Sequence, residues 1–354
     1  MNIIYHRRRT IDRDNKLDQL NYSTQLILEA AEQCGVDWEK VPYTPAFKLS
    51  YQGTTKYFSH RVPSETNSFA ADSCQDKRIT NNLLKHANIR VNNSYVIKPT
   101  DSPIYHQRLY KSLQKPLVVK PNDSSLGHHV TINISGMNDY SKAIADIYSY
   151  NGQREVDILV EEMFQEAQEY RILATTKKIL SVIKRTLPNV VGNGRSTIRQ
   201  LIEIKNRHPF REKIETYAPI DINRQLVQHL AEQTLTVDSV PSSGEEIVLF
   251  PPTPFNVNVW IGGDTIDVTD QIHPTVTETV KKIMAAIPGL SLAGIDYMTK
   301  DIQAPQTADN YRVIEVNSSP CLDWNQYPLV GPKRPIGFEF LKIMFPNLKQ
   351  PSQN

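Results

Sequence analysis

The chain has 354 residues, more than one compact core usually holds, so two or three domains or subdomains are expected. It is 39% hydrophobic and 22% charged, an ordinary balance for a globular protein, and 40 basic against 38 acidic residues leave a formal charge of +2. That near-neutrality argues against a general nucleic-acid binder; the basic stretch Tyr5–Thr10 reads first as a solvated loop and only second as an anion contact. The three cysteines, Cys34, Cys74 and Cys321, are far apart and match neither a metal spacing nor a disulfide framework. With no signal-like apolar segment and no run of membrane-spanning length, the expectation is a cytoplasmic protein without a membrane partner.

In chain order, Ser23–Gly35 has helical apolar spacing, a capping serine and a terminal glycine. Residues 46–61 read as a hairpin around Gln52-Gly53, and 76–89 as a second helix. "LVVK", ending at Lys120, is a buried type of strand. A small-residue loop, "NDSSLGHH", a strand "VTINI" and a helix over 139–150 follow. "DILVEEMF" is an apolar strand that runs into two acids, and 169–186 give two strands around Thr176-Lys177-Lys178. Residues 197–207 are helical, and "EEIVLF" and "VNVWIGG" are strand-like, separated by "PPTPF", through which no strand continues. A helix over 275–288, the strand pair "LAGIDYMTKDI" and "YRVIEVN", and a short helix around 338–344 complete the chain. This mixture of hairpins and helices points to α+β subdomains rather than one parallel sheet.

The last strand pair carries the sharpest chemical signal. Glu315 and Asn317 stand two apart on an apolar strand and so share one face, and Asp296 sits within the neighbouring apolar strand. If the strands pair, three oxygen donors converge, a set that suits a hard divalent cation such as Mg2+ with phosphate oxygens completing its shell. The competing reading is a pair of edge carboxylates in water, which the apolar flanks disfavour. Lys120, Lys184 and Arg185 each end an apolar strand and can reach phosphate, although any one alone reads equally as a cation snorkelling to solvent. The single glycine of the loop 122–129 makes it a weak phosphate cradle by itself.

Taken in order, Lys120, the small-residue loop, "VEEMF…EYR", "IKR", "GGDTIDVTD", "GIDYMTKDI" and "VIEVNSSP" resemble the ATP-grasp superfamily. More narrowly, "DKRITNNLLKHANI", "IKRTLPNVVGNGRSTIRQLIEIKN" and "GGDTIDVTDQIHP" resemble the ligase domain shared by cyanophycin synthetase and the bifunctional glutamate–cysteine ligase/glutathione synthetase. The resemblance covers about residues 76–346. It implies an ATP-grasp fold of two α+β subdomains gripping ATP: residues 1–75 as a small N-terminal α/β lobe, 76–160 as the N-terminal and central subdomain, and 161–350 as the C-terminal subdomain with the metal site.

The resemblance further implies a role for each matching residue. Lys120 binds the α/β phosphates, with Ser124, Ser125 and Gly127 in the phosphate loop; Glu161, Glu162 and Phe164 form the hinge beside adenine; Glu169 holds the ribose. Arg171, Lys184 and Arg185 face the γ-phosphate and substrate carboxylate, with Asn258 near the metal or the acyl acceptor. Asp296, Glu315 and Asn317 coordinate two Mg2+ ions, Mn2+ being the alternative, and Glu315 bridges them. The implied activity is an ATP-dependent carboxylate–amine ligase that joins amino acids or small peptides through an acyl phosphate. The alternatives are an impaired nucleotide-binding protein of this fold, acting as regulator or partner subunit, and a small-molecule kinase. Small amino-acid or peptide substrates are the expected partners, and a homo-oligomer is compatible with the resemblance. Three departures stand out: a glycine-poor phosphate loop, Phe250 where relatives usually place an arginine, and Cys321 where they usually place glycine.

Overall fold

The structure is a computed structural model that describes residues 20–123, 128–150, 156–252 and 257–350, without the side chains of residues 257 and 258. Its N-terminal part is helix α1 (Tyr22–Gln33), a four-stranded antiparallel sheet of β1 (Asp37–Lys40), β2 (Ala46–Tyr51), β3 (Thr54–Ser59) and β4 (Val62–Pro63), and helix α2 (Ser68–Gln75). Asn21 caps α1 by accepting from Thr24 N, satisfying one of the donors a helix start leaves open. One face of this sheet, with Phe47, Leu49 and Phe58, shares a core with α1 and with residues near the C-terminus.

Helix α3 (Lys77–His86) leads to a second four-stranded antiparallel sheet, ordered β5 (Ser94–Ile97), then β8, β6 and β7. Helix α4 (Pro103–Ser112), β6 (Leu117–Pro121), β7 (Thr131–Ile134), α5 (Met137–Tyr150) and β8 (Ile158–Glu162) complete this part. Strand alternation divides its residues cleanly: Leu117, Val119, Ile158 and Val160 pack into a core with α4 and α5. Lys120 and Glu161 consequently lie on the other face.

The third part is a five-stranded antiparallel sheet in the order β13-β10-β9-β14-β15. Strands β9 (Gln168–Thr175) and β10 (Ile179–Arg185) form the predicted hairpin. Between β10 and β13 lies a segment in which β11 (Asn189–Val191), α6 (Ile198–Asn206), α8 (Arg224–Glu232) and β12 (Glu246–Val248) surround a small core of their own, with α7 (Pro209–Lys213) beside a separate cluster. Helix α6 starts with a full capping box between Thr197 and Gln200. Next come α9 (Val257–Trp260), β13 (Thr265–Asp267) and α10 (Pro274–Ala286). The last elements are β14 (Leu292–Thr299), β15 (Tyr311–Asn317), α11 (Asp323–Gln326) and α12 (Ile336–Met344).

Strand β14 is buried along its whole length, because both faces of this sheet are covered. Ala293, Ile295 and Tyr297 join Ile172 and Val182 in a core roofed by α10 and α3. Leu292 and Leu173 belong to the opposite face, in the core shared with the N-terminal part. Asp296 lies on that second face.

One expected strand is absent. "VNVW" forms the helical turn α9, not a strand. Alternating valines mimic strand periodicity, but Val259 is drawn into a cluster with Ile214, Tyr217 and Trp324. That tertiary contact overrides the weak local preference.

Candidate functional site

The register of the five-stranded sheet builds one polar face. Asp296 is the Cα partner of Arg171 on one side and Glu315 on the other. Ile183 partners Arg171 and Lys184 partners Tyr170, which sets Arg185 beside Glu169. The result is a buried network: Arg185 bonds Glu169 and donates to Asp296 Oδ1 at 2.8 Å, and Arg171 Nε reaches the same oxygen at 3.2 Å. All four residues are below 10% exposed, so water does not supply their missing partners. Within the network, Glu169 Oε2 and Arg171 Nη1 are buried without a hydrogen-bond partner among the described residues. Unmet capacity of this kind in a dry site is costly and marks a place where a ligand can complete the bonding. Gly294 lets Arg171 and Pro320 pack against the strand: a Cβ there would stand 2.9 Å from Arg171 Nη1 and 2.7 Å from Pro320.

Lys184 does not join this network. It follows the alternation of β10 and projects from the face opposite Arg185. Glu315 lies at the rim, where Lys77 Nζ meets its carboxylate at 3.4 Å. The same ammonium donates to the backbone oxygen of Asn122, at the end of β6, also at 3.4 Å. Lys77 thus bridges the strand carrying Glu315 and the segment leading into the small-residue loop. Strand spacing does not point to this lysine. Its signal was present, since Lys77 and Arg78 place two cations in the first turn of α3, the end where the helix dipole disfavours them. Asp76 caps that turn. Burial raises its pKa, but hydrogen bonds from Arg78, Asn122 and the backbone hold it down to about 2.

On the four-stranded sheet, Lys120 and Glu161 form a separate buried pair, Nζ to Oε1 at 2.8 Å. Ser94 donates to Glu161 at 2.7 Å and Asn92 at 3.1 Å. Burial pushes the Glu161 carboxyl up, but Lys120 and these hydrogen bonds together hold it below the usual range. The carboxylate of Glu161 therefore serves Lys120, and its backbone lies between β5 and β6, opposite Ser94 and Val118. Glu162 accepts from Gln114 N at 2.8 Å, and Phe164 lies under the Arg312 guanidinium at 4.8 Å. These residues border the connection from β8 to β9, which joins the two sheets. Ser124, Ser125 and Gly127 fall outside the described residues, as does the side chain of Asn258.

The residues present suit a divalent cation. Two carboxylates on paired strands and an amide oxygen two residues along are all hard oxygen donors, and Mg2+ characteristically takes one or two carboxylates and completes its shell with phosphate oxygens and water. Among the described residues no group of three or more His, Cys, Asp or Glu side chains gathers for a metal.

The departures also find places. Phe250 is 3% exposed in the core of the 189–250 segment, with Val190, Ile198 and Leu249. Cys321 is half-buried, and desolvation pushes its thiol up to about 12, far from the reactive range. Beside it Asp323 accepts from Ser23 and, at 3.0 Å, from Thr216, tying α11 to α1 and to the segment after α7. Burial raises the Asp323 pKa.

No family model matches the chain. It is 29% identical over 334 residues to the glutathione biosynthesis bifunctional protein of Clostridium perfringens, covering 93% of this chain and 41% of that one. It is 28% identical over 333 residues to the cyanophycin synthetase of Trichormus variabilis, covering 93% of this chain and 35% of the relative. The chain therefore spans well under half the length of these curated relatives. Among solved structures, a bifunctional glutathione synthetase from Pasteurella multocida superposes with a TM-score of 0.73 at 24% identity, covering 94% of this chain and 44% of that one. The chain resembles ATP-grasp ligases, and its α+β fold is the ATP-grasp fold, as the ordered motifs led one to expect. No helix among the described residues is long and apolar enough to cross a membrane.

Proposed function

We propose that the protein is an ATP-dependent carboxylate–amine ligase that joins amino acids or small peptides through an acyl phosphate, releasing ADP and phosphate. The observation that carries this reading is the buried Glu169–Arg185–Asp296–Arg171 network, in which Glu169 Oε2 and Arg171 Nη1 find no partner among the described residues, bordered by Glu315, Asn317 and Lys77. A carboxylate is a poor electrophile, and phosphorylation turns its oxygen into a leaving group. Phosphoryl transfer asks for position and charge neutralisation more than covalent help. Arg171 and Arg185 supply fixed positive charge at the reacting end, and Lys120 supplies it toward the α/β phosphates. Asp296, Glu315 and Asn317 would hold Mg2+. The cation, when bound, neutralises charge on the phosphoryl oxygens. Lys77, against Glu315, would add a further positive charge at this rim. The buried setting keeps water from hydrolysing the activated acid.

The names of the relatives support amide formation on amino-acid or peptide substrates, glutathione and cyanophycin being their printed products. A second reading, nucleotide binding without ligation, rests on Phe250, which gives its position to a hydrophobic core and not to a phosphate contact. An ADP-release screen over pairs of amino acids and dipeptides separates the two. The ligase reading expects release that requires both an acid and an amine. Nucleotide binding with no release from any pair would favour the second reading, and release without an amine would indicate a kinase.

A further inference from the structure

Arg211, in α7, lies outside the polar face yet is only 6% exposed. Its guanidinium grips one stretch of backbone at several points. Nη1 donates to Ala218 O at 2.8 Å; Nη2 donates to Gly262 O at 2.8 Å, to Gly263 O at 3.1 Å and to Asp264 Oδ1 at 2.8 Å. Lys205 holds the other oxygen of Asp264 at 2.6 Å and is itself tied to Asn189 O. The gripped segment is the Gly262-Gly263 turn. Gly262 has φ +103 and lies so close to Ile220 that a Cβ would come within 2.3 Å of it, so the turn is both left-handed and tightly seated.

A trans peptide is planar, with its C=O and N–H pointing in opposite directions. Because Arg211 draws the Gly262 carbonyl toward itself, the N–H of Gly263 is turned away from Arg211. Gly263 is buried, and none of the described residues accepts from its N–H. A buried backbone donor without an acceptor is rare in a native fold. The turn runs directly into β13, where Thr265 is the Cα partner of Arg185, so it lies beside the end of β10 that carries Arg185.

We propose that Gly263 N–H is a fixed hydrogen-bond donor to a substrate oxyanion, and that Arg211 is the positioning residue that aims it. The inference rests on the ligase reading above and adds a binding group to it. The oxyanion is either the carboxylate being activated or the phosphoryl group joining it; both present a negatively charged oxygen to a donor that needs no reorganisation.

The test uses the full chain labelled with 15N-glycine, which gives 14 glycine signals, with Gly263 assigned by its loss in Gly263→Ala. Spectra are recorded with MgADP alone, with MgADP and aluminium fluoride as a phosphoryl mimic, and with MgADP and acetate as the simplest carboxylate. The proposal expects the Gly263 amide proton to move downfield in the fluoride arm or the acetate arm, which identifies the oxyanion, and to stay in place with MgADP alone. In Arg211→Met that movement disappears, while MgADP affinity stays within about threefold of the parent because no nucleotide contact is removed. Arg211→Lys keeps the charge against Asp264 but cannot span the carbonyls; it should lose the movement too, and it serves if the methionine variant fails to fold. A Gly263 signal unmoved in both arms, or moving equally in the Arg211 variants, overturns the proposal. Failure of the parent chain to bind MgADP overturns the ligase reading itself, and this inference with it.

Discussion

Two buried charge clusters, one on a four-stranded sheet and one on the five-stranded sheet, have opposite hydrogen-bonding states. On the four-stranded sheet, Lys120 and Glu161 form a closed pair whose carboxylate is also held by Ser94 and Asn92. On the five-stranded sheet, two arginines and two carboxylates interlock yet leave Glu169 Oε2 and Arg171 Nη1 unmet. Both clusters are dry, so burial alone does not separate them. The difference lies in residual bonding capacity: the first cluster orients a lysine, and the second is completed only by something from outside. Read together, they describe a cleft with one pre-set ammonium and one open polar face, bridged by Lys77.

Removing the rim carboxylate breaks the open cluster most severely. On the proposed reading, in which Glu315 would hold the cation, Glu315→Ala should lower ADP release at least about a hundredfold. The fold should survive, because Glu315 lies at the partly exposed edge of the cluster. Undiminished ADP release would remove Glu315 from the site.

The closed pair is tested by taking it apart one side at a time. Lys120→Met leaves the buried Glu161 carboxylate unpaired, which typically costs about 3–5 kcal/mol, and it should weaken MgATP binding as well. Adding Glu161→Met should restore most of the stability, because well-packed apolar pairs replace buried ion pairs at little cost, but should not restore nucleotide affinity. Calorimetric melting and nucleotide titration on the two variants read these outcomes separately. Recovery of affinity in the double variant would reduce Lys120 to a structural role.

A smaller effect sharpens the bridge between the clusters. Asp76 caps the helix that presents Lys77, and its folded pKa is depressed from 3.8 to about 2. A depressed carboxylate pKa contributes stability that is present above the unfolded value and is lost as pH falls through the folded one. The stability gap between the parent and Asp76→Asn should therefore be full above pH 4 and should close between pH 3.8 and about 2. A gap independent of pH across that window would mean that the cap does not hold the charge. Smallest of all is the response of Cys321, whose thiol is pushed up to about 12. At pH 8 it should resist iodoacetamide in the folded protein and react on denaturation. Rapid labelling of the native chain, located by peptide mapping, would show the site around α11 to be open.

Much of the five-stranded cluster was legible from spacing. Glu315 and Asn317 two apart on one strand, and Asp296 within the next, already implied a shared face, and the register of β14 with β15 makes Asp296 and Glu315 direct partners. The opposition of Lys184 to Arg185 was legible too, since adjacent strand residues point apart, but the basic pair was read as one unit. What the sequence could not carry was contact across elements. The pairing of Lys120 with Glu161 needs the register of β6 against β8, and the meeting of Lys77 with Glu315 needs α3 packed beside β15. Helix α9 was misread because its alternation is strand-like, whereas the packing of Val259 decides it.

The central claim is that this cleft activates a carboxylate with ATP. Hydroxylamine tests it most directly by intercepting an acyl phosphate as a stable hydroxamate. The account predicts hydroxamate formation that requires ATP, a divalent cation and an acid substrate, stays in step with ADP release, and disappears in Glu315→Ala. ADP release that depends on an acid and an amine but never diverts to hydroxamate, or hydroxamate that persists in Glu315→Ala, would contradict it.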